Sequence, residues 1–157
     1  MNTIASHMSL AGPEPQDLTN EISVLQKMLK FDTAKVLELG CGAAEKTRMI
    51  ADNTNVDSVI AAEVDAIAHQ KNLATTDLEK VTFKAYGAEA IEEPDQSIDI
   101  VLMFKSLHHV PLDQLDGALL EIHRVLKPGG FAYISEPVFA GKFNDILQVY
   151  HNEQVVR

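Results

Sequence analysis

The sequence predicts an α/β fold, a doubly wound and mostly parallel sheet with helices on both faces. Two observations carry this prediction. Five β-prone segments alternate along the chain with segments of helical periodicity. Several of the five are apolar throughout, as strands are when both faces of a parallel sheet are covered. Such a sheet binds its ligand outside the carboxyl ends of its strands, so function is expected in the segments that follow the strands.

Each predicted element rests on a local pattern. The predicted strands are residues 35–39, 58–63, 81–86, 98–104 and 131–135. The predicted helices are residues 17–30, 45–52, 66–78, 112–126 and 143–156. Asp17 or Thr19 is expected to cap the first helix, because either side chain can accept a hydrogen bond from a free backbone N–H group. The Lys-Pro-Gly-Gly segment at 127–130 is expected to end the fourth helix. The apolar face of that helix is predicted to be Leu112, Leu115, Leu119, Ile122 and Leu126.

The 157 residues are enough for one domain with its own core. Residues 1–16 contain three Gly or Pro residues and no apolar period, so they are expected to form a mobile arm or to be the remnant of an affinity tag. Residues 17–157 are then a single domain. Its first helix, 17–30, is expected to pack close to the ligand as a partial lid.

The chain is acidic, with 13 Lys and Arg against 23 Asp and Glu and a net charge of −10. This charge repels phosphate backbones, so no nucleic acid partner is expected. No apolar run approaches the ~20 residues that span a bilayer, and the amino terminus lacks the pattern of a signal peptide. We therefore expect no membrane partner and a cytoplasmic protein. Cys41 is the single cysteine, so no intrachain disulfide can form.

A glycine turn, Gly40-Cys41-Gly42, follows the first strand directly. The dinucleotide fingerprint needs a third glycine where this chain has Glu45, whose carboxylate would oppose a pyrophosphate. Glu38, just before the turn, favours a cation or hydrogen-bond donors. S-adenosylmethionine meets these requirements, since it carries an ammonium, a sulfonium and a ribose diol and has no phosphate.

Glu63 ends the second strand, where nucleotide-binding α/β folds place a carboxylate for the ribose hydroxyls. Asp65 is the alternative for this role. His108 and His109 are adjacent, and adjacent residues rarely converge on one metal, so no metal site is expected. One histidine is expected to pack beneath the pocket, and the other is a candidate to contact the substrate.

Four further features are given structural roles. Cys41 is expected to fill space in the turn rather than act as a nucleophile. Asp99 is expected to be structural at the start of its strand. The acidic run 92–95 is predicted to be a solvated loop, and Glu121 with Arg124 is predicted to be a helix-surface pair and nothing more.

Together, three segments and the strand-end Glu63 resemble the class I S-adenosylmethionine-dependent methyltransferases. The segments are VLELGCGAA (36–44), YGAEAIEEPDQSIDIVLMFKSLHHV (86–110) and ALLEIHRVLKPGGFAYISEP (118–137). Within that class they resemble the small-molecule type, methyltransferase domain 11/25-like, with a His-His-Val segment after the fourth strand. The resemblance implies a Rossmann-like methyltransferase fold with S-adenosylmethionine as methyl donor and S-adenosylhomocysteine as product.

The resemblance also assigns cofactor-binding residues. They are Glu38, Gly40, Cys41, Gly42, Ala43, Glu63, Val64, Gly87, Ala88, Phe104 and Lys105. Glu38 and the backbone of residues 40–43 are expected to hold the methionine moiety. Glu63 is expected to bind the ribose, and Val64 is expected to lie beside the adenine. Gly87 stands where the family often has an Asp that contacts the adenine amino group, so either Glu89 or a backbone group is expected to replace it. Phe104 and Lys105 are expected near the transferred methyl group.

The implied reaction is in-line transfer of a methyl group to an unidentified small-molecule acceptor. His109, and more weakly His108, is the candidate general base if the acceptor must lose a proton. The alternative is a module that binds S-adenosylmethionine or S-adenosylhomocysteine without turnover. A nicotinamide-dependent oxidoreductase is disfavoured by Glu38 and Glu45.

The resemblance implies a seven-stranded sheet, whereas this chain is expected to be truncated after its fifth strand. A sheet ending at 131–135 leaves one edge with unpaired backbone groups. These groups could be satisfied in three ways: by self-association through that edge, by the helix 143–156 covering it, or by further strands of a longer natural chain. Self-association of a truncated chain is favoured.

Overall fold

The computed structural model describes residues 20–75 and 78–137. Its five strands form one sheet in which every pair is parallel, in the order β3-β2-β1-β4-β5. The strands are β1 (Lys35–Leu39), β2 (Ser58–Ala62), β3 (Val81–Lys84), β4 (Ile98–Phe104) and β5 (Leu126–Ser135). Strand order reverses between β1 and β4, which is where open parallel sheets bind their ligands. The predicted doubly wound parallel sheet is confirmed.

The described residues also contain four helices and one short turn of 3₁₀-helix. They are α1 (Glu21–Met28), α2 (Glu45–Asn53), α3 (Ala66–Leu73), the 3₁₀ turn (Leu107–His109) and α4 (Leu115–Val125). Asn20 caps α1, because its side chain accepts a hydrogen bond from the Ile22 N–H. The predicted caps Asp17 and Thr19, the arm 1–16 and the helix 143–156 lie outside the described residues. No helix among the described residues is long and apolar enough to cross a membrane.

Three predicted helices were too long, and the helix predicted at 17–30 already ends at Met28. The helix predicted at 66–78 ends at Leu73, and the helix predicted at 112–126 begins at Leu115. The predicted apolar face of α4 was wrong at Leu112 and Leu119, which are exposed. Its other predicted members are in contact with the core: Ile122 is buried, and Leu115 and Leu126 are partly buried. Its buried face consists of Ala118, Ile122 and Val125. A small alanine lets the helix approach the sheet closely, and the prediction passed over it in favour of larger leucines.

The last strand begins earlier than the sequence predicted. Leu126 already pairs with Ile98, and the register then shifts so that Phe131 pairs with Ile100. The Lys-Pro-Gly-Gly segment is therefore an irregularity inside β5 and does not end a helix. Glycine and proline are tolerated in a strand at such bulges.

The sheet has an apolar core on each face. On one face Val36, Ile100 and Leu102 pack with residues of α1 and α2; on the other Leu37 and Met103 pack with residues of α4. Side chains alternate between faces along a strand, so Glu38 lies on the same face as Val36. The sequence of β1 thereby directs a carboxylate toward α2.

Polar contacts tie the loops to this frame. Asp99 accepts hydrogen bonds from the Lys35 backbone N–H and the Lys127 ammonium, both at 2.8 Å, which confirms its structural role. Arg124 makes more contacts than the helix-surface pair with Glu121 that the sequence predicted. Besides Glu121, it donates to Asp95 and to the carbonyls of residues 91 and 93.

The loop that Arg124 holds is only partly solvated, contrary to the prediction. Glu93 is buried and accepts hydrogen bonds from the Tyr86 hydroxyl and the Lys35 ammonium, each at 3.3 Å. Burial and the adjacent Glu93 raise the pKa of Tyr86. The loop therefore fixes Tyr86 in the segment that follows β3.

Candidate functional site

The glycine turn after β1 has a backbone that few residues can adopt. Gly40 and Gly42 have φ of +72° and +53°, and Ala44 has φ of +58°. A Cβ at Gly40 would lie 2.6 Å from the Cβ of Ser106, closer than two side-chain carbons can approach. Gly40 is required both by conformation and by space. The end of β1 therefore lies directly against the segment that follows β4.

The Gly42 peptide is held from two sides. Its N–H donates to the Glu63 carboxylate at 2.6 Å, and its carbonyl accepts from the buried Asn72 amide at 2.8 Å. The second Glu63 oxygen accepts from the Asp65 N–H at 2.8 Å. A carboxylate oxygen has two acceptor positions, so each Glu63 oxygen can take one more hydrogen bond. Asp65, the alternative ribose ligand, caps α3 through the Ala68 N–H.

A cavity of about 710 Å³ lies along the carboxyl ends of the strands. It joins the ends of β1, β2, β3 and β4 and is large enough for a nucleoside. The predicted site residues on its wall are Gly40, Gly42, Glu63, Val64, Gly87, Ala88, Lys105 and His109. Residues on this wall that the site prediction lacked include Leu39, Tyr86, Met103, Ser106, Val110 and Pro111.

A second cavity, of about 340 Å³, lies on the other side of the glycine turn. It shares Gly40 and Lys105 with the large cavity, so the two spaces adjoin at these residues. The other predicted site residues line it: Glu38, Cys41, Ala43 and Phe104. Every predicted cofactor residue thus borders one cavity or the other.

Glu38 forms the buried polar end of the small cavity. It is 2% exposed, and its carboxylate accepts a hydrogen bond from the Thr47 hydroxyl of α2 at 2.5 Å. Burial raises the pKa of Glu38 to about 7, although Thr47 and the charge of Lys46 act in the opposite direction. A buried carboxylate with so high a pKa is one that a cationic ligand would stabilise strongly.

The rim of the small cavity carries residues that the sequence did not point to. The Lys46 ammonium lies 3.1 Å from Glu21 and 5.9 Å from the centroid of the Phe104 ring. Glu21 also accepts from the Ser135 hydroxyl at 2.6 Å. Burial opposes ionisation of Glu21, but the contacts with Ser135 and Lys46 prevail and lower its pKa. The amino-terminal end of α1 is thereby bound to α2 and β5 at the cavity rim.

The two histidines divide as the sequence suggested. His109 lines the large cavity, whereas the His108 side chain is 6% exposed and packs beside it, with ring centroids 4.1 Å apart. His108 Nδ1 lies 2.5 Å from the Glu136 carboxylate, whose other oxygen accepts from the Leu107 N–H. Glu136 follows β5 and was missed, because nothing in its local sequence sets it apart from a loop residue.

Cys41 is buried, and burial together with the nearby Glu38 and Glu63 raises the pKa of its thiol to about 12. A thiol with so high a pKa is protonated near neutral pH and is a weak nucleophile, which favours the space-filling role expected for Cys41. Among the described residues, no group of three or more His, Cys, Asp or Glu side chains could hold a metal ion.

Comparison with known families agrees with this geometry. A family model described as "Methyltransferase domain" matches residues 36–130, from β1 into the irregular part of β5. The chain belongs to the class I S-adenosylmethionine-dependent methyltransferases. The matched segment contains all eleven of the predicted cofactor residues and both histidines, whereas Glu21 and Glu136 lie outside it.

Two relatives illustrate how varied the family's acceptors are. A sterol 24-C-methyltransferase of Yarrowia lipolytica is 30% identical over 115 residues, which cover 71% of this chain and 29% of that protein. The 27-O-demethylrifamycin SV methyltransferase of Amycolatopsis mediterranei is 31% identical over 100 residues, covering 61% of this chain and 36% of that one. The chain therefore spans about a third of the length of these relatives.

Solved structures show the same fold at lower identity. The phosphoethanolamine N-methyltransferase 1 of Haemonchus contortus, solved with phosphoethanolamine and S-adenosylhomocysteine, has a TM-score of 0.64 at 17% identity and covers 72% of this chain and 24% of its own. The [4+2]-cyclase SpnF has a TM-score of 0.67 at 23% identity and covers 77% of this chain and 46% of its own. Both of these structures therefore share their fold with this chain.

Proposed function

We propose that this chain binds S-adenosylmethionine across the carboxyl ends of β1, β2 and β4 and transfers its methyl group to a small-molecule acceptor. The observation that carries the proposal is the Gly42 N–H bound to the Glu63 carboxylate at 2.6 Å, on the wall of the large cavity. That contact fixes a carboxylate with two free acceptor positions beside Gly42, which has no side chain. A ribose diol offers the two matching donors.

The charges of both cavities favour this cofactor over a dinucleotide. Carboxylates outnumber lysines in both cavities: the large one is lined by Glu63, Asp65 and Glu89 against Lys105, and the small one by Glu21, Glu38 and Glu45 against Lys46 and Lys105. Such a surface opposes a pyrophosphate but suits a nucleoside joined to a cationic amino acid. The buried Glu38 in particular needs a cation to offset the cost of its charge.

The proposed layout puts the adenosine in the large cavity and the methionine moiety in the small one. The cavities adjoin at Gly40 and Lys105, and the absence of a side chain at Gly40 leaves room for a ligand that passes from one to the other. When bound, the cofactor supplies a methyl group on an activated sulfonium, so the protein mainly has to align the acceptor and exclude water.

His109 is the proposed general base for an acceptor that must lose a proton. His109 borders the large cavity and packs against the His108 ring, which is itself held by its contact with the Glu136 carboxylate. This packing restricts how His109 can turn. An acceptor that needs no deprotonation would require only the alignment. The relatives act on acceptors as different as a sterol and a demethylrifamycin, which supports a small-molecule acceptor without naming it.

The second candidate is binding of the cofactor without methyl transfer. SpnF, which shares the fold, is described as a [4+2]-cyclase, so the fold alone does not fix the reaction. The chain also spans only about a third of the length of the relatives whose names state an acceptor.

Calorimetry with S-adenosylhomocysteine and with NAD tests the binding step. We expect heat of binding for the former and none for the latter, and the reverse result would contradict the proposal. Transfer of a labelled methyl group from S-adenosylmethionine to a panel of small hydroxyl, amine and carbon acceptors separates an enzyme from a binding module. Glu63→Gln should bind S-adenosylhomocysteine more weakly, whereas the exposed Glu79→Gln serves as a charge-matched control.

A further inference from the structure

Asn72 is a buried polar side chain in a helix that exposes its larger apolar ones. Of the residues of α3, which the structure describes throughout, Asn72 alone is buried, at 3% exposure, whereas Ile67 and Leu73 are exposed. Asn is a poorer helix former than Ala, and an amide removed from water costs free energy unless it is hydrogen-bonded. Apolar packing of α3 therefore does not account for Asn72, and its role has to lie in its hydrogen bonds.

The Asn72 side chain is bound to the glycine turn. Its amide donates to the Gly42 carbonyl at 2.8 Å and lies 3.7 Å from the Cys41 sulfur, a weak acceptor. The Asn72 backbone is held as well, because its carbonyl accepts from the Thr75 hydroxyl at 2.6 Å. That hydroxyl accepts from the Arg48 guanidinium of α2 at 2.9 Å. The amide thus reaches the turn from a helix end that is itself anchored.

The conformation of Gly42 depends on these polar contacts. Its φ is +53°, and a Cβ at this position would meet no heavy atom within 4 Å beyond its chain neighbours, so surrounding side chains do not pack against it. Its carbonyl is held by Asn72, and its N–H is held by the Glu63 carboxylate at 2.6 Å. Because glycine can adopt many backbone conformations, contacts on both sides of its Cα are what select this one.

Loss of the Asn72 amide would therefore be felt at Glu63. The Gly42 peptide could then rotate, and its N–H would no longer hold one carboxylate oxygen in place. The other oxygen would stay bound to the Asp65 N–H, so the carboxylate would remain in the large cavity with a less defined direction. A ligand with two hydroxyl donors binds best where both acceptor oxygens are already in position.

We propose that Asn72 is a positioning residue for the ribose site, which holds the Gly42 peptide in the orientation that aims the Glu63 carboxylate at the ribose diol. Asn72 borders neither cavity, so it acts through Gly42 and Glu63 and not by touching a ligand. This inference rests on the proposed function, because it needs the ribose to lie at Glu63.

The test compares S-adenosylhomocysteine with S-(2′,3′-dideoxyadenosyl)homocysteine, in which hydrogen replaces both ribose hydroxyls. Calorimetry on the native protein should show at least about tenfold tighter binding of the ligand that has the hydroxyls, the effect of one charged hydrogen bond. Asn72→Ala should lower this affinity ratio at least about threefold, mostly through weaker binding of S-adenosylhomocysteine. A purely structural role would weaken the binding of both ligands alike and leave the ratio unchanged.

Two further variants sharpen the comparison. Asn72→Asp keeps the shape of the side chain but places an acceptor oxygen where the donor was, so it should also lower the ratio. Asn53→Ala is the matched control, because the Asn53 amide likewise donates to a backbone carbonyl at 2.8 Å, at an exposed position in α2. This control should keep the native ratio. Thermal unfolding followed by circular dichroism checks that each variant is folded.

A double-mutant cycle with Glu63→Ala shows whether Asn72 acts through that carboxylate. Without Glu63 there is no carboxylate to aim, so adding Asn72→Ala should leave the ratio as Glu63→Ala alone has it. The inference is overturned if either Asn72 variant keeps the native ratio, if Asn72→Ala lowers the ratio equally with and without Glu63, or if the native protein binds both ligands equally. Failure of the native protein to bind either ligand would instead overturn the proposed function, and this inference with it.

Discussion

Replacing Glu38 by Gln should stabilise the free protein above neutral pH. Glu38 lies in the core beside Thr47, and burial raises its pKa from 4.5 to about 7. Between these two pH values the folded protein holds a proton that the unfolded chain has released. The contribution of Glu38 to stability is therefore most favourable below pH 4.5, declines as the pH rises to 7, and stays low above it. Gln has nearly the same shape, carries no charge, and can still accept the hydrogen bond from Thr47.

The size of the effect follows from the interval between the two pKa values. At about 1.4 kcal/mol per pH unit, the interval from 4.5 to about 7 corresponds to roughly 3 kcal/mol. This is an upper bound, because the second polar group of the Gln amide must also be accommodated in the core. We therefore expect Glu38→Gln to exceed the native protein by about 1 to 3 kcal/mol at pH 8, with the gain shrinking toward pH 5.

Urea unfolding of the native protein and of Glu38→Gln, at pH 5 and at pH 8 without any ligand, gives the stability difference between the two proteins at each pH. The prediction concerns how much larger that difference is at pH 8 than at pH 5. The other titrating groups are common to both proteins and largely cancel. Glu121→Gln is a control of opposite sign, since the hydrogen bond with Arg124 lowers the pKa of Glu121. That variant should be less stable than the native protein at both pH 5 and pH 8, because a carboxyl with a lowered pKa is ionised in the folded protein at both values. The reasoning is refuted if Glu38→Gln shows no greater advantage at pH 8 than at pH 5.

Three other perturbations test separate parts of the structure. Gly40→Ala should destabilise the fold by at least about 1 to 2 kcal/mol, from its left-handed backbone and the clash with Ser106; urea unfolding equal to that of the native protein would contradict the turn geometry. Arg124→Ala should cost about 1 to 3 kcal/mol, because two loop carbonyls lose their donor, and an unchanged unfolding midpoint would show that the loop 91–95 is held otherwise. Among the described residues β5 pairs with β4 alone, and Phe131 is 60% exposed, so we expect self-association by light scattering that Phe131→Lys reduces; a native protein that stays monomeric at high concentration would contradict it.

The sheet could be predicted from the sequence because its central strands are short apolar runs bounded by polar residues. β1 and β4 match their predicted bounds. The beginning of β5 could not be predicted, because Lys-Pro-Gly-Gly is equally typical of a helix end and of a bulge. In the structure Leu126 pairs with Ile98, so the segment is a bulge within β5. This pairing joins segments that are distant in the sequence, and a local pattern does not reveal it.

Some residues of the candidate site could also be predicted from the sequence, and others could not. The glycine turn, Glu38 and Glu63 could be identified because the end of a parallel strand places them at the binding edge. Glu136 and Glu21 had no local signal, since only the sheet topology brings β5 and α1 to that edge. The prediction favoured His109 over His108 as the candidate base. The sequence offered no geometric reason for that order, because neighbouring positions of a 3₁₀ turn point in different directions that the sequence does not reveal.

Glu38 connects stability with function. A buried carboxylate whose pKa is raised to about 7 costs folding free energy above that pH, and a Gln at the same position would avoid the cost. A cation beside Glu38 would stabilise the charged form and recover part of that free energy on binding. The same carboxylate that weakens the free fold would thus favour a ligand that carries an ammonium group over one that carries a phosphate, since only the former gains from the charge. A less stable free state is the expected consequence of a binding site built around an unpaired buried charge.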